Sequence, residues 1–296
     1  MKKVSVILIN YNGSELTHAC VDSILASINC EPKVIIVDNS SLESEFLKMS
    51  EIVQSYKNTE VELIRSTTND GFSAGNNIGI KQAIADNAEY IMLLNNDTEI
   101  DEYMISHLLE NSSDSSVAVP KIYYFSDKKR IWYAGGIIQW NMGKTKHLGE
   151  NGYDTAETFR KKKVAFATGC CILIPTKIFN RIGLMDESFF MYGEDTELSF
   201  RLAENKIDIV YVPEAVMWHK IGASGGMQSP MGVYYGNRNR LYLMKKYRFP
   251  LSAWVYTYSS RILKGFVGVL TDTSDKYIIR ALSDFHKNIR GKVDLK

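Results

Sequence analysis

Residues 4–13 read VSVILINYNG, an Ile- and Val-rich run that stops at Asn10 and passes into a polar turn closed by Gly13. β-branched residues favour the pleated backbone, and a short apolar run bounded by turn residues reads as a strand buried on both faces. Lys2 and Lys3 imitate the start of a signal peptide, but no small-residue cleavage site follows, so the segment is expected to be the first strand. Similar runs recur at residues 34–37, 61–64, 90–94 and 117–119. Between them Leu16, Cys20, Ile24 and Ile28, then Phe46, Met49 and Val53, then Ile78, Ala83 and Ile84 mark apolar helix faces. Strands alternating with helices predict an α/β fold, a mostly parallel sheet with helices on both faces.

Ligands gather outside the carboxyl ends of such strands. Each strand end here is polar: Asn10-Tyr11-Asn12-Gly13, Asp38-Asn39, Asn69-Asp70-Gly71 and Asn95-Asn96-Asp97. Four loops are therefore expected on one rim. After Pro120 the strand-like runs lengthen (residues 131–140, 164–174 and 207–212), with short helices at 177–182 and 196–204, which predicts a mixed half. Residues 144–163 are polar and end in a basic cluster, as a surface loop would. From Tyr234 onward the pattern is helical, with Leu251, Trp254, Val255, Tyr258, Ile262, Phe266 and Val269 on one stripe.

The 296 residues are 45% apolar and 23% charged, enough for the core of one large domain with an appendage and against long disordered tracts. A net charge of +1 gives no field that would recruit nucleic acid. The charge is unevenly placed: from Arg238 onward 13 basic residues face 4 acidic ones, a net of +9 that leaves −8 for residues 1–237. Cys20, Cys30, Cys170 and Cys171 lack the C-x-x-C spacing of a zinc site or a redox motif, and fit a reducing compartment. The longest late uncharged stretch, residues 249–260, falls well short of the roughly 20 residues of a spanning helix. A cytoplasmic protein, peripheral to the inner membrane face at most, is expected.

Several motifs could carry chemistry. Asp97 at a strand's carboxyl end could place an oxygen ligand on a divalent ion, although a polar turn is the simpler account of Asn95-Asn96-Asp97 taken alone. Gly193-Glu194-Asp195 opens a helix behind the aromatic run Phe189-Phe190-Met191-Tyr192. One acid there caps a helix; two, in an apolar surround, suggest a general base. His219 ends an apolar run and precedes a Gly/Ser loop at residues 222–226, so it is either a structural strand-end histidine or a metal ligand with a lid behind it. Gly71-Phe72-Ser73-Ala74-Gly75-Asn76-Asn77 lacks the G-x-G-x-x-G spacing, which counts against a dinucleotide-binding dehydrogenase.

Together and in this order, VSVILINYNG, IIVDNSS, NDGFSAGNNIGI, MLLNNDTEID, FATGCCILIP, MDESFFMYGEDTELSFRL, MWHK and YYGNRNRLYLMKKY resemble an inverting glycosyltransferase of family 2, within it the rhamnosyltransferase-like branch, over residues 1–250. The resemblance implies a GT-A fold: a nucleotide-sugar half (residues 1–120) and an acceptor half (121–237) around one mixed sheet, followed by a basic amphipathic helical tail at 238–296. It places the nucleotide sugar on Asn10, Tyr11, Asn12, Asp38 and Asn39, with Asn77 in the helix after the third loop. Asn95-Asn96-Asp97 stands where the family's D-x-D motif meets the donor diphosphate; the first acid is replaced by Asn, which removes one negative charge from the metal site. Asp97, with His219, would hold Mg²⁺ or Mn²⁺. Asp195 matches the general base, Glu194 either orients acceptor hydroxyls or caps the helix, and Gly169 lies on the acceptor strand. Arg238 or Lys220 could add positive charge near the leaving group; for Arg238 a solvated helix charge is the competing account.

The expected donor is dTDP-rhamnose, with UDP-hexose or UDP-N-acetylhexosamine as the rival, and the expected acceptor is a surface glycan or a lipid-linked precursor. Losing one acid of D-x-D also fits a non-catalytic nucleotide-sugar binder, which the presence of both Asp195 and His219 opposes. A nucleotidyltransferase would need a basic Gly-rich loop that is missing. The tail's charge and stripe suit a helix on an anionic membrane, and equally one packed on the domain or on a second copy of the chain.

Overall fold

A computed structural model describes residues 2–57, 60–221, 226 and 228–295. The N-terminal half alternates as expected: β1 (Val4–Asn10), α1 (Ser14–Leu25), β2 (Pro32–Asp38), α2 (Glu43–Ser55), β3 (Val61–Arg65), α3 (Phe72–Ala85), β4 (Tyr90–Asn95). β5 (Thr98–Ile100), α4 (Met104–Glu110), β6 (Ser116–Tyr124), β7 (Ile131–Tyr133), β8 (Gly136–Gln139), β9 (Lys144–His147), β10 (Lys162–Val164) and β11 (Cys171–Pro175) follow. Then come α5 (Thr176–Ile182), α6 (Glu194–Glu204), β12 (Asp208–His219), α7 (Pro230–Lys246), α8 (Leu251–Leu270) and α9 (Tyr277–His286).

Among the described residues the main sheet runs β10-β12-β6-β11-β4-β1-β2-β3, with β5 paired to β12 and β7 to β6. The side from β4 to β3 is parallel, and β11 enters antiparallel between β4 and β6. β1 and β2 lie inside the sheet between β4 and β3, and Val6, Ile7, Leu8, Val34, Ile35 and Ile36 are all sealed from water, at about 1.5–3 kcal/mol of burial for each large side chain. α3 lies close on β1 because Gly79 faces Ile7; a Cβ there would stand 2.5 Å from the Ile7 Cγ2. This contact sets the height at which the third loop meets the rim.

The C-terminal half departs from the periodicity in five places. The run 131–140 is two strands broken at Gly135, where φ is +96°; β7 stays on the main sheet while β8 leaves it to pair with β9. The run 164–174 is also divided, because β10 pairs with β12 at the edge whereas β11 sits beside β4. The expected surface loop 144–163 has strands at both ends. β12 does not stop at Val212 but continues through Pro213 to His219, with a register shift between Val212 and Val216; a bulge is where a strand tolerates proline. α7 starts earlier than expected, at Pro230 behind Ser229, whose Oγ accepts from Gly232 N at 3.1 Å.

Candidate functional site

Asn10 ends β1 fully buried, and its side chain joins the first two loops. Its Nδ2 donates to Asp38 Oδ2 at 2.9 Å, and its Oδ1 accepts from Thr17 Oγ1 at 2.9 Å. Thr17 in turn accepts from Asn96 Nδ2 at 2.8 Å, and Asp38 Oδ1 accepts from Ser41 N at 3.0 Å. One chain of hydrogen bonds thus links the ends of β1, β2 and β4. Asn12, in the left-handed region at φ +53°, latches the loops together: its N–H donates to Ser41 Oγ at 2.9 Å and its Oδ1 accepts from Leu42 N at 2.8 Å. Tyr11 is left with its ring exposed above this network.

Asn39 turns toward the third loop, donating to Asn69 Oδ1 at 3.1 Å and Gly71 O at 3.2 Å. Gly71 (φ +98°) crosses the segment before α6 so closely that a Cβ would lie 2.1 Å from Phe190 O; only glycine fits. Asn77 is not on the rim. It is buried against residues 185–187, donating to Met185 O at 3.0 Å and Glu187 Oε1 at 2.7 Å and accepting from Met185 N at 2.9 Å. Its amide braces α3 against that segment, with each of its polar atoms in a hydrogen bond.

Beyond β4, the pairing of β5 with β12 sets His219 opposite Thr98, so Asp97 and His219 meet at one end of that pair. Asp97 Oδ1 and His219 Nε2 are 3.1 Å apart with both side chains nearly buried. Asp97 Oδ1 and His219 Nδ1 nevertheless lack a hydrogen-bond partner. A buried carboxylate oxygen without a donor, beside an imidazole nitrogen, fits a divalent ion. Among the described residues no group of three or more His, Cys, Asp or Glu forms a complete cage. The Asn95 amide is half-buried at the same strand end; its backbone N donates to Cys170 O at 2.9 Å. Trp132 stands edge-on to His219 (4.7 Å between centroids) and to His147 (4.6 Å), and burial pushes the His147 imidazole down to about 4.

That contact between β4 and β11 carries the site across to Asp195. Gly169, one residue before Cys170, donates its N–H to Asp195 Oδ2 at 3.1 Å, and Thr196 N donates to Oδ1 at 2.6 Å. Burial raises the Asp195 carboxyl, and these donors oppose the rise. Glu194 does not cap α6: no side-chain cap bond is formed there, and its Oε2 is buried without a partner. Burial, then the neighbouring Asp195 charge, pushes Glu194 up to about 8, so at neutral pH the pair keeps a proton on the Glu194 side.

Two expected cations are spent elsewhere. Arg238 is no solvated helix charge: it is fully buried between the Tyr234 and Tyr235 rings, and donates to Tyr234 Oη at 3.3 Å, Asn239 Oδ1 at 3.2 Å and Gly291 O at 2.8 Å. Its guanidinium ties the C-terminal segment to α7 and is buried away from the open surface. Lys220 pairs with Glu99 at 2.6 Å. The expected lid at residues 222–226 lies outside the described residues, apart from Gly226. Thr17 and Ser41 were not anticipated as linkers of the loops. Thr17 could have been found as a polar residue on the inner face of α1, between Gly13 and Cys20, whereas Trp132 and His147 reach His219 from runs with no local mark of it.

Comparison with known proteins speaks to the family and the fold. The family model described as "Glycosyl transferase family 2" matches residues 5–183. The chain is 26% identical over 296 aligned residues to the low-salt glycan biosynthesis hexosyltransferase Agl10 of Haloferax volcanii, covering 94% of this chain and 88% of that protein. It is 25% identical over 258 residues to the dTDP-rhamnosyl transferase RfbF of Shigella flexneri, covering 84% of this chain and 82% of that one. Among solved structures, GalNAc-T7 with UDP, GalNAc and Mn²⁺ superposes with a TM-score of 0.67 at 16% identity over 83% of this chain, which spans 48% of the larger protein. At that identity the likeness speaks for the fold, a GT-A fold, alone.

Proposed function

The chain belongs to glycosyltransferase family 2, and on that footing we propose an inverting, metal-dependent transferase that moves rhamnose from dTDP-rhamnose onto a hydroxyl of a surface polysaccharide or lipid-linked glycan precursor. The observation that carries this reading is the pairing of two unlike centres across β4 and β11. Asp97 faces His219 on one side, and Asp195 is held by Gly169 on the other. The first suits a diphosphate with its metal, the second a hydroxyl to be deprotonated.

Asp195 takes the proton as the acceptor oxygen attacks the anomeric carbon and the bond from that carbon to the diphosphate breaks, which inverts configuration. Its two backbone donors fix the carboxylate, and burial raises its basicity. Glu194, protonated beside it, adds no second negative charge to repel the developing alkoxide. Mg²⁺ or Mn²⁺ held by Asp97 and His219 would neutralise charge on the departing nucleotide diphosphate. Asn10, Asp38 and the exposed Tyr11 ring form the nucleoside end of the rim.

The rhamnosyl donor rests on the likeness to RfbF, and the likeness to Agl10 supports a second reading, a UDP-linked hexosyl donor. A thermal-shift screen of dTDP-rhamnose, UDP-glucose, UDP-galactose, UDP-N-acetylglucosamine and GDP-mannose, with and without Mn²⁺, tests both. A Mn²⁺-dependent rise with dTDP-rhamnose is expected. A rise with a UDP-sugar alone selects the second reading, and no rise with any of them removes both.

A further inference from the structure

Along α8 the small residues face inward and many of the large ones outward. Its inner face is small: Ala253, Thr257, Gly265 and Gly268 are buried, and a Cβ on Gly268 would stand 2.5 Å from the Lys276 backbone nitrogen. Of the large side chains, Trp254 and Tyr258 pack partly inward beside them. Leu251, Val255, Leu263, Phe266, Val267 and Leu270 lie instead on the outer face, 77%, 59%, 69%, 60%, 50% and 86% exposed. At 100° per residue they all fall within one side of the helix, a broad face about 28 Å long at 1.5 Å per residue. At side-chain areas near 200 Å² each, the six expose about 800 Å², which is what one partner of a stable dimer contributes.

We propose that this face of α8 is the self-association surface of the protein, and that a second copy of the chain covers it with its own α8, antiparallel about a two-fold axis near Ser259. An isologous contact sets each patch against itself, and this one carries no charge to repel its copy. The charges next to it are already matched: Lys264 pairs with Asp275 at 3.1 Å, and Lys276 pairs with Asp272 at the end of α8. An anionic lipid surface is the poorer occupant. An interfacial helix draws on a cluster of unpaired basic residues. α8 offers only Arg261, close to Arg240 on the inner side, and the paired Lys264, while Asp272 stands exposed at its end. No helix among the described residues is long and apolar enough to cross a membrane.

Sedimentation equilibrium of the full chain, run beside flotation with phosphatidylglycerol-containing vesicles, tests the proposal. The expected result is twice the 33.6 kDa chain mass, with no flotation. The L263E/F266E variant should be monomeric, its dissociation constant raised at least about 100-fold with an unchanged circular dichroism spectrum. As a check that does not depend on that variant folding, Ser259→Cys should cross-link to its own copy under mild oxidation. A monomeric wild-type chain at tens of micromolar, whether or not it floats with vesicles, overturns the proposal. So does a dimer that survives L263E/F266E in a folded protein, or the absence of a Ser259→Cys cross-link.

Discussion

The two sides of the site treat their buried polar groups in opposite ways. On the side of the first two loops, Asn96, Thr17, Asn10, Asp38 and Ser41 satisfy one another in an unbroken series. On the side of β12 and α6, Asp97 Oδ1, His219 Nδ1 and Glu194 Oε2 are buried with no hydrogen-bond partner. A satisfied network stabilises the fold by itself, whereas an orphaned polar atom costs about 1–3 kcal/mol until something arrives to meet it. The first region is therefore a self-satisfied scaffold, and the second holds the unmet groups to which the proposed metal and proton transfer are assigned.

This contrast breaks most visibly if the orphaned side can be altered without consequence for turnover. Asp195→Asn should lower sugar transfer about 1000-fold while leaving the melting temperature within a degree or two, as read by product formation and by calorimetry. Asp97→Ala should abolish the Mn²⁺-dependent part of the donor-induced thermal shift and lower transfer about 100-fold. Because it removes a buried carboxylate that lacks a donor, it should not lower the melting temperature of the ligand-free protein. A clear loss of ligand-free stability would show that Asp97 is part of the scaffold instead.

The satisfied side should respond the other way. Thr17→Val strips Asn10 Oδ1 of its donor and Asn96 Nδ2 of its acceptor, and should cost about 1–3 kcal/mol in urea unfolding with a smaller effect on the catalytic step than on donor affinity. The subtlest effect concerns Glu194. Its carboxyl is raised from 4.5 to about 8, so between those pH values the folded chain retains a proton that the unfolded chain releases. Its contribution is complete below the lower value and is lost as pH rises through the upper one. Glu194→Gln, which keeps the neutral form, should flatten that decline in urea titrations across the pH range and retain transfer activity within about tenfold.

Much of the fold was legible because strand and helix periods are local properties. The run from Val4 to Asn10, the alternation up to Ala118, and the polar strand ends at Asn10, Asp38 and Asp97 all follow from side chains spaced two or three to four residues apart, and the structure puts them where the pattern does. The ordered motifs likewise singled out Asp97 and His219, polar residues at the ends of apolar strands, and Asp195, an acid opening a helix behind an aromatic run, all of which are visible without knowing their neighbours in space.

What the chain alone did not determine depends on contacts between distant segments. Asn77 and Arg238 are polar residues on helices in any reading of the sequence. Only the packing of α3 against residues 185–187 turns the amide of Asn77 into a brace, and only the return of the chain at Gly291 buries the guanidinium of Arg238. The division of residues 164–174 between two positions in the sheet, and the continuation of β12 past Pro213, follow from pairing partners far away in sequence. The apolar stripe expected on α8 divides: Trp254 and Tyr258 pack inward, while Leu251, Val255, Ile262, Phe266 and Val269 stay exposed. A helix's hydrophobic period says that one face avoids water, while the glycines that let α8 close onto its neighbours decide which face has already been covered.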